Sequence, residues 1–267
     1  MAKSKRVGAV VRKFLLLVPG LVLVGATVSC ATAPPKSDVA DYQAYKAVND
    51  PAEPTNRVFY KVNDTLDAYI MRPVAKGYVH VTNQPIRDHV GDFVSNIGEP
   101  ARTLNFALEG MQQDAGVSFL RFLVNSTIGI GGIFDPATHL GLPETDTDFG
   151  MTLAIWGVPD GPYLYLPVFG PSGARDVWNL PVEYFATPME VAPASAALTD
   201  FGDSETGLHL INTRASLLDT IDQIKGTALD PYATFRSLYR QSRASEVVNI
   251  YQAEGRTPPA WALPPSN

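Results

Sequence analysis

The 267-residue sequence has a single cysteine, and charged residues make up only 18% of it. A lone cysteine excludes intramolecular disulfides and any metal site built from several cysteines. The net charge of −6 disfavours a general nucleic-acid-binding role, because phosphate neutralisation requires a basic surface. Hydrophobic residues make up 45% of the chain, so it has enough apolar material to bury a core and is not disordered throughout.

The N-terminal apolar run is too short to span a bilayer. Residues 14–28 are about fifteen residues long, fewer than the roughly 20 that a transmembrane helix needs. The run follows a basic segment at 3–13, and small residues lead from it to Cys30, which predicts a signal peptide over residues 1–29. The end of this signal is similar to a bacterial lipobox, with Thr27 where Leu or Val is usual. Two alternatives follow: lipid attachment at Cys30, or ordinary cleavage that leaves a free thiol.

The rest of the chain divides into three predicted parts. Residues 30–50 contain prolines and charges without an apolar period, which predicts a tether. Residues 51–253 form one predicted helical domain. Residues 254–267 are rich in proline, which can neither continue a helix nor join a central strand, so we expect a loose tail.

Apolar residues recur at three- and four-residue steps through most of residues 51–253, which is typical of amphipathic helices. The first predicted helix begins near Pro51 or Pro54 and ends or kinks at Pro73. The second begins at Pro85 and is expected to end before Pro100. The other predicted helices cover residues 99–108, 114–126, 175–185, 207–225 and 231–253. The predicted fold class is therefore mainly α.

Two segments and one helix are unusually apolar. Apolar residues surround most of the helix predicted at 114–126, and a helix of this kind is buried or lies in lipid. The segments 128–134 and 157–171 mix glycine or proline with bulky apolar residues, so neither can be a regular helix for long. Loops in water-soluble proteins are usually polar. These segments therefore contact lipid, or they are buried in an ordinary helical core.

The residues give no support for catalysis. The four histidines have no metal-ligand spacing, the glycines at 129–132 lack the rest of a dinucleotide fingerprint, and no Gly-x-Ser-x-Gly motif is present. The acidic cluster Glu144, Asp146 and Asp148 could hold a cation, but a solvated loop is the better interpretation. We therefore expect a protein that is not an enzyme and has no metal and no cofactor.

Long motifs in a fixed order resemble the MlaA/VacJ family of lipoproteins, and the likeness runs from about residue 48 to 245. The motifs are Asn49-Asp-Pro-Ala-Glu-Pro54, Arg72-Pro-Val-Ala-Lys-Gly-Tyr78, Phe93-Val-Ser-Asn-Ile-Gly-Glu-Pro100, Arg121-Phe-Leu-Val-Asn-Ser-Thr-Ile-Gly-Ile-Gly-Gly-Ile-Phe-Asp135, Gly161-Pro-Tyr-Leu-Tyr-Leu-Pro167, Arg214-Ala-Ser-Leu-Leu-Asp219 and Asp230-Pro-Tyr232.

The resemblance implies a function in the outer membrane. Such a protein removes mislocalised phospholipids from the outer leaflet and passes them to a soluble periplasmic lipid-carrier protein, which maintains lipid asymmetry. The implied fold is a ring-shaped arrangement of amphipathic helices lying in the membrane with a central channel. The implied location is the periplasmic side of the outer membrane, lipid-anchored and embedded, and a trimeric porin is the implied partner.

The function that the resemblance implies suggests two sets of candidate site residues, one along a lipid path and one at a hinge or channel rim. A phospholipid head group needs polar side chains along its path, and a substitution such as Arg121→Glu is then expected to slow lipid clearance without unfolding the protein. For each path residue, a helix cap or a buried pair is the alternative. The predicted lipid path consists of Asn56, Arg57, Arg121, Asn125 and Asp148. The predicted backbone hinge or channel rim consists of Gly129, Gly131, Gly132, Gly161 and Pro162, and at Gly131 and Gly132 we expect positive φ or close backbone approach.

Two rival functions remain at this point. One is an envelope scaffold lipoprotein that binds other outer-membrane proteins without conducting lipid. The other is a lipid hydrolase, which would need a nucleophile and a base that the sequence does not reveal.

Overall fold

The computed structural model describes residues 34–263 apart from 39–40, 43–44, 46–47 and 187–195, and it leaves the side chains at 183–186 and 196–205 undescribed. The predicted signal peptide and Cys30 lie outside the described residues. The chain divides into two compact units. Unit 1 comprises Met1–Tyr69, Pro159–Val177 and Ile224–Asn267, and unit 2 comprises Ile70–Val158 and Trp178–Gln223.

The described structure is mainly α-helical, as the sequence predicts. The helices are α1 Glu53–Leu66, α2 Arg72–Val81, α3 Gln84–Glu109, α4 Gln112–Thr127, α5 Pro136–His139, α6 Phe149–Ile155, α7 Asn179–Ala186, α8 Ala196–Ser216, α9 Leu218–Thr227 and α10 Pro231–Ala253. The described residues also contain a π-helical turn, Asp67–Met71, and a 3₁₀ turn, Asp176–Trp178. The strands are β1 Tyr163–Leu166 and β2 Gly170–Gly173.

Unit 1 contains a β-hairpin that the sequence did not predict. Strands β1 and β2 are antiparallel, with Tyr163 opposite Gly173 and Leu166 opposite Gly170. A two-stranded hairpin is marginally stable by itself. Two asparagines of α1 hold this one: Asn56 Nδ2 donates to the Tyr163 carbonyl at 3.1 Å, and Asn63 Nδ2 donates to the Leu166 carbonyl at 2.9 Å.

The core of unit 1 is aromatic. Tyr163, Tyr165 and Tyr232 are buried together, and Tyr60 meets two of them edge-on at ring distances of 5.6 and 5.8 Å. The C-terminal segment also packs onto this unit. Ala262 is buried, and the Arg175 guanidinium lies 5.8 Å from the ring centre of Trp261. The expectation of a loose tail is therefore wrong as far as Ala262.

Unit 2 is built around one long helix where the sequence predicts two. Helix α3 continues through Pro100, although proline removes a hydrogen bond from a helix interior. Contacts with the antiparallel α4 hold both sides of this position: Asn96 Nδ2 donates to Ser126 Oγ at 3.0 Å, and Thr103 Oγ1 donates to Ser118 Oγ at 3.1 Å. Tertiary packing outweighs the local preference to break.

Pro73 lies close to the place where the sequence predicts that the first helix ends or kinks. Helix α1 ends at Leu66, the π-helical turn leads directly into α2, and Pro73 occupies the first turn of α2. The helix predicted at 207–225 is two helices, α8 and α9, which meet at Leu217.

Residues 128–134, here called the glycine loop, turn the chain sharply after α4. Ile130, Gly131 and Gly132 have φ values of 55°, 73° and 92°, so the positive φ expected at both glycines is present. A Cβ at Gly132 would lie 2.5 Å from the Asn96 Cβ, and one at Gly129 would lie 2.3 Å from the Phe134 carbonyl oxygen. These positions require glycine because the loop presses against α3 and against itself.

Within the part of the chain that the structure describes, no helix combines the length and apolar character needed to cross a bilayer.

Replacement of Gly132 by alanine is expected to destabilise the protein by about 1–3 kcal/mol, because the substitution adds both backbone strain and an overlap with α3. Gly116→Ala is the matched control, since Gly116 lies on the exposed side of α4 with open space around it. That control should be neutral or stabilising by up to about 1 kcal/mol. Denaturant unfolding followed by circular dichroism measures both, and equal effects at the two positions would contradict the proposed strain.

Candidate functional site

The centre of unit 2 is a buried network of charged side chains around Arg121, which is 2% exposed. Its Nε donates to Glu99 Oε1 at 2.8 Å, and its Nη2 donates to Asp135 Oδ2 at 3.0 Å. Its Nη1 donates to Thr138 Oγ1 at 3.0 Å and to the Leu142 carbonyl at 2.7 Å. One side chain of α4 therefore connects α3, α5 and the segment after α5.

The network keeps Arg121 and Asp135 charged despite burial. Burial raises the pKa of Asp135, but hydrogen bonds from Thr138, Asn125 and Arg121 outweigh it and lower the pKa to about 2. Burial lowers the pKa of Arg121, and hydrogen bonds to Glu99 and Asp135 more than reverse this effect. Charged groups inside a protein are stable only when they are paired in this way.

Asn125 lies one helical turn after Arg121 and fixes the end of the glycine loop. Its Nδ2 donates to Asp135 Oδ1 at 2.9 Å, and its Oδ1 accepts from the Ala137 N–H at 3.1 Å. Asp135 also caps α5 by accepting from the Thr138 N–H at 3.1 Å. The two ends of the glycine loop are therefore anchored in the same polar network.

The remaining predicted path residues also have partners inside the protein. Asn56 is 2% exposed and holds β1, and Asp148 caps α6 by accepting from the Met151 N–H at 2.7 Å. Arg57 is partly exposed, donates to Asp230 and Glu53, and lies 4.5 Å from the ring centre of Tyr232. A role of these residues in a lipid path stays a prediction.

The burial of Arg121 changes what a substitution there is expected to do. The sequence suggested that Arg121→Glu would slow lipid clearance without unfolding the protein. In the structure this substitution would remove the guanidinium that pairs with Glu99 and Asp135 and add another carboxylate beside them. The variant is instead expected to lose stability.

Gly161 and Pro162 lie at the start of the hairpin in unit 1. Gly161 has a φ of 67°, and its carbonyl accepts from Asn49 Nδ2 at 2.5 Å. The Pro162 carbonyl accepts from the Ala174 N–H at 3.0 Å, which extends the strand pairing by one position at the open end of the hairpin. Their role as a hinge or rim stays a prediction.

Sequence reasoning missed four acids that are buried in the described structure, Asp50, Glu99, Glu109 and Asp176. Glu99 is 1% exposed and pairs with Arg121; Asp50 is 2% exposed and accepts from Arg236 at 2.7 Å and from Tyr232 at 2.5 Å. Glu109 accepts from Thr147 and Thr152, and burial raises its pKa. Helical spacing puts Glu99 on the side of α3 opposite the apolar stripe of Ile86, Val90 and Phe93, so the sequence pattern gave no signal of its burial.

Many large apolar side chains lie on the surface, and polar side chains make up a large part of the buried residues. Among the described residues ten leucines are exposed, whereas Leu166 is the buried one. The largest fully buried side chains include Glu99, Thr152 and Ser118. The exposed apolar residues of unit 2 include Val81, Ile86, Leu104, Phe119, Leu120, Leu123, Ile128, Ile130, Ile133, Phe134, Leu140 and Trp156. Singly exposed apolar residues are ordinary, but a set of this extent indicates a binding or membrane-contacting surface.

The described residues contain no group of three or more His, Cys, Asp or Glu placed to hold a metal ion. Glu144 and Asp146, considered above as a cation site, lie instead beside the Arg102 guanidinium, at 3.6 and 2.9 Å. These two carboxylates therefore serve as ion-pair partners.

The fold defines a class of mainly α-helical proteins with many exposed apolar residues. Buried polar side chains around Arg121 and Asp50, here called the polar frame, join their helices. The family model for the MlaA lipoprotein matches residues 48–246. This chain belongs to the MlaA lipoprotein family.

Named relatives and a solved structure agree with this assignment. The intermembrane phospholipid transport system lipoprotein MlaA of Escherichia coli is 36% identical over 198 residues, which are 72% of this chain and 76% of that protein. The protein of the same name from Haemophilus influenzae is 31% identical, over 73% of this chain and 77% of that protein. A structure described as the structural basis for maintenance of bacterial outer membrane lipid asymmetry matches with a TM-score of 0.61 and 32% identity, over 72% of this chain and 96% of that chain.

Replacement of Arg121 by methionine is expected to destabilise the protein by about 3–5 kcal/mol, because it removes the closest cation from the carboxylates of Glu99 and Asp135 and leaves Glu99 only the longer contact with Arg102, at 3.5 Å. Arg57→Met is the matched control, since the Arg57 side chain is 39% exposed and its ion pairs should contribute at most about 1 kcal/mol. Denaturant midpoints of the two variants measure the difference. Similar midpoints for the two variants would show that the Arg121 network does not stabilise unit 2.

Acid should weaken the protein through Asp135. Its folded pKa lies below its unfolded value, so its stabilisation is present above about pH 4 and is lost as the pH falls toward 2. The difference in pKa corresponds to about 2 kcal/mol. Wild type should therefore lose about 2 kcal/mol more than Asp135→Asn between pH 5 and pH 2, as measured by unfolding at each pH. Asp88→Asn, at an exposed carboxylate, is the control and should behave like wild type.

Proposed function

We propose that this chain is an outer-membrane lipoprotein that removes mislocalised phospholipid from the outer leaflet and passes it to a soluble periplasmic carrier. The family supports the proposal, because its named members in Escherichia coli and Haemophilus influenzae are intermembrane phospholipid transport system lipoproteins. The work is transfer without bond breaking, so the protein is not an enzyme and needs no cofactor.

The observation that carries the proposal is the exposed apolar surface. Burying a leucine or phenylalanine side chain is worth about 1.5–3 kcal/mol relative to leaving it in water. Ten exposed leucines, together with Phe119, Phe134 and Trp156, would forgo this stabilisation in an aqueous setting. Hydrocarbon surroundings remove that cost, because the bilayer interior is itself apolar. A body embedded in the membrane from the periplasmic side accounts for this surface.

The N-terminus supplies the route to the membrane. Lipid attachment at Cys30 places acyl chains at the start of the predicted tether, residues 30–50, and brings the body to the bilayer. Removal of residues 1–29 takes away five basic residues and no acidic one, so the mature chain is more acidic than the whole sequence. Contact with the membrane therefore relies on apolar residues and acyl chains, since basic residues are what attract a protein to anionic lipid.

The ring-shaped arrangement with a central channel and the trimeric porin partner belong to the same proposal. A porin would hold the protein at one place in the outer membrane, and a channel would give the phospholipid head group a path past the apolar surface. The buried polar frame supports this arrangement, because it can hold helices in place when their apolar faces point outward.

Deletion of the gene tests the proposal. We expect phospholipid to accumulate in the outer leaflet, measured with an amine-reactive label that cannot cross the membrane, and detergent sensitivity to rise. The wild-type gene should restore both readouts. Cys30→Ala should restore neither, because the protein loses its anchor, and mass spectrometry should find an acylated Cys30 in the wild type.

An unchanged outer leaflet in the deletion strain would overturn the transport function and favour an envelope scaffold. Phospholipase activity in the purified protein would instead favour a hydrolase.

A further inference from the structure

An apolar cavity of about 430 Å³ opens on unit 2 at the first half of α3. Ile86, His89, Val90 and Phe93 of α3 line one side, and Ile133 of the glycine loop lines the other. Its volume falls in the range of small-ligand pockets, about 300–1,000 Å³. The four α3 residues are spaced by one, three and four positions, so they form one continuous stripe along the helix.

The second wall of the cavity is preformed. The Gly132 N–H donates to the Asn125 carbonyl at 2.8 Å, and the Phe134 N–H donates to the Gly129 carbonyl at 3.0 Å. The absence of a side chain at Gly132 lets the loop approach α3 at Asn96, one turn beyond Phe93. These contacts fix Ile133 opposite the α3 stripe.

The loop holds a strained conformation that leaves apolar groups uncovered. Ile130 has a φ of 55°, which is unfavourable for a β-branched residue, yet its side chain is 64% exposed. Backbone strain of this kind persists where the surrounding structure enforces it, and it concentrates at functional sites. Here it places Ile128 and Ile130, both more than 60% exposed, in the same loop as the cavity wall.

The apolar lining of the cavity favours a hydrocarbon ligand. The surface that its lining presents is apolar throughout. The one titratable lining residue, His89, has its Nδ1 3.4 Å from Asp92 Oδ2 and packs edge-on against Phe134 at 4.7 Å. A bound peptide or head group would need hydrogen-bond partners for its polar atoms, which this lining does not supply. An acyl chain has no such requirement.

We propose that this cavity binds one acyl chain of a membrane phospholipid. The inference rests on the proposed function and adds the place where the hydrocarbon part of the transported lipid is held. The glycine loop acts as a fixed wall, and the exposed Ile128 and Ile130 continue the apolar surface from the cavity toward the surrounding bilayer.

Photocrosslinking of the full mature lipoprotein tests the proposal. The protein is reconstituted into vesicles of phosphatidylethanolamine and phosphatidylglycerol that contain a phosphatidylcholine with a diazirine at the end of one acyl chain. After illumination, mass spectrometry locates the adducts. We expect them to concentrate in residues 84–97 and 128–134, and Ile86→Trp and Val90→Trp, which fill the cavity, to lower the yield there at least fivefold.

Leu104→Trp is the matched control. Leu104 lies on the same helix and is 47% exposed, against 48% for Ile86, but does not line the cavity. This variant should keep the wild-type yield in residues 84–97, and all three variants should keep the wild-type circular dichroism spectrum. Equal labelling around Leu104 and Ile86, or no loss in either cavity-filling variant, would overturn the proposal by showing only general contact with lipid.

The crosslinking result is separable from the deletion experiment. Normal complementation without labelling at the cavity would reject the acyl-chain site and leave the transport function intact. Labelling at the cavity together with an unchanged outer leaflet in the deletion strain would reject the transport function, while the cavity would still be a phospholipid site.

Discussion

The ion pair between Arg121 and Glu99 is the interaction on which unit 2 depends. Both side chains are almost fully buried, at 2% and 1% exposure, and they join α3 to α4 at 2.8 Å. Because α4 is fixed along α3 at this point, α3 can continue through Pro100, and Asp135 can anchor the end of the glycine loop. The apolar cavity is a consequence of the same interaction, since its two walls are α3 and that loop.

A protein with many exposed leucines gains less stability from burying them and needs other interactions in its interior. Both units use the same solution, a buried carboxylate that collects several donors. In unit 1 this residue is Asp50, which accepts from Asn56, Tyr232 and Arg236. Hydrogen bonds of this kind are directional, and they strengthen where water is excluded. In unit 2 they help to fix the arrangement of the helices, while many large apolar side chains stay exposed.

Polar side chains connect the elements of the fold, whereas many apolar side chains lie on the surface. This explains why so many of the polar residues have structural roles. Asn56 and Asn63 replace a missing third strand for the hairpin, because each side-chain amide both donates to and accepts from the strand backbone or the turn beside it. In the segment after α4, Asn125 accepts from the Ala137 N–H and donates to Asp135, and Arg121 donates to the Leu142 carbonyl. Under the proposed function, the polar frame positions the apolar surfaces that would contact the hydrocarbon of the bilayer.

The sequence by itself determined the helical class, the family, most helix positions and the need for glycine at 131 and 132, because these follow from local periodicity, long motifs and backbone sterics. It could not tell whether an apolar stripe faces inward or outward, since helical spacing is the same in both cases. It also could not pair Arg121 with Glu99, 22 residues away, or Asn56 with a strand 107 residues away. Only the tertiary structure decided these contacts, because a buried charge chooses its partner by position in space, and that position depends on the packing of every helix between them.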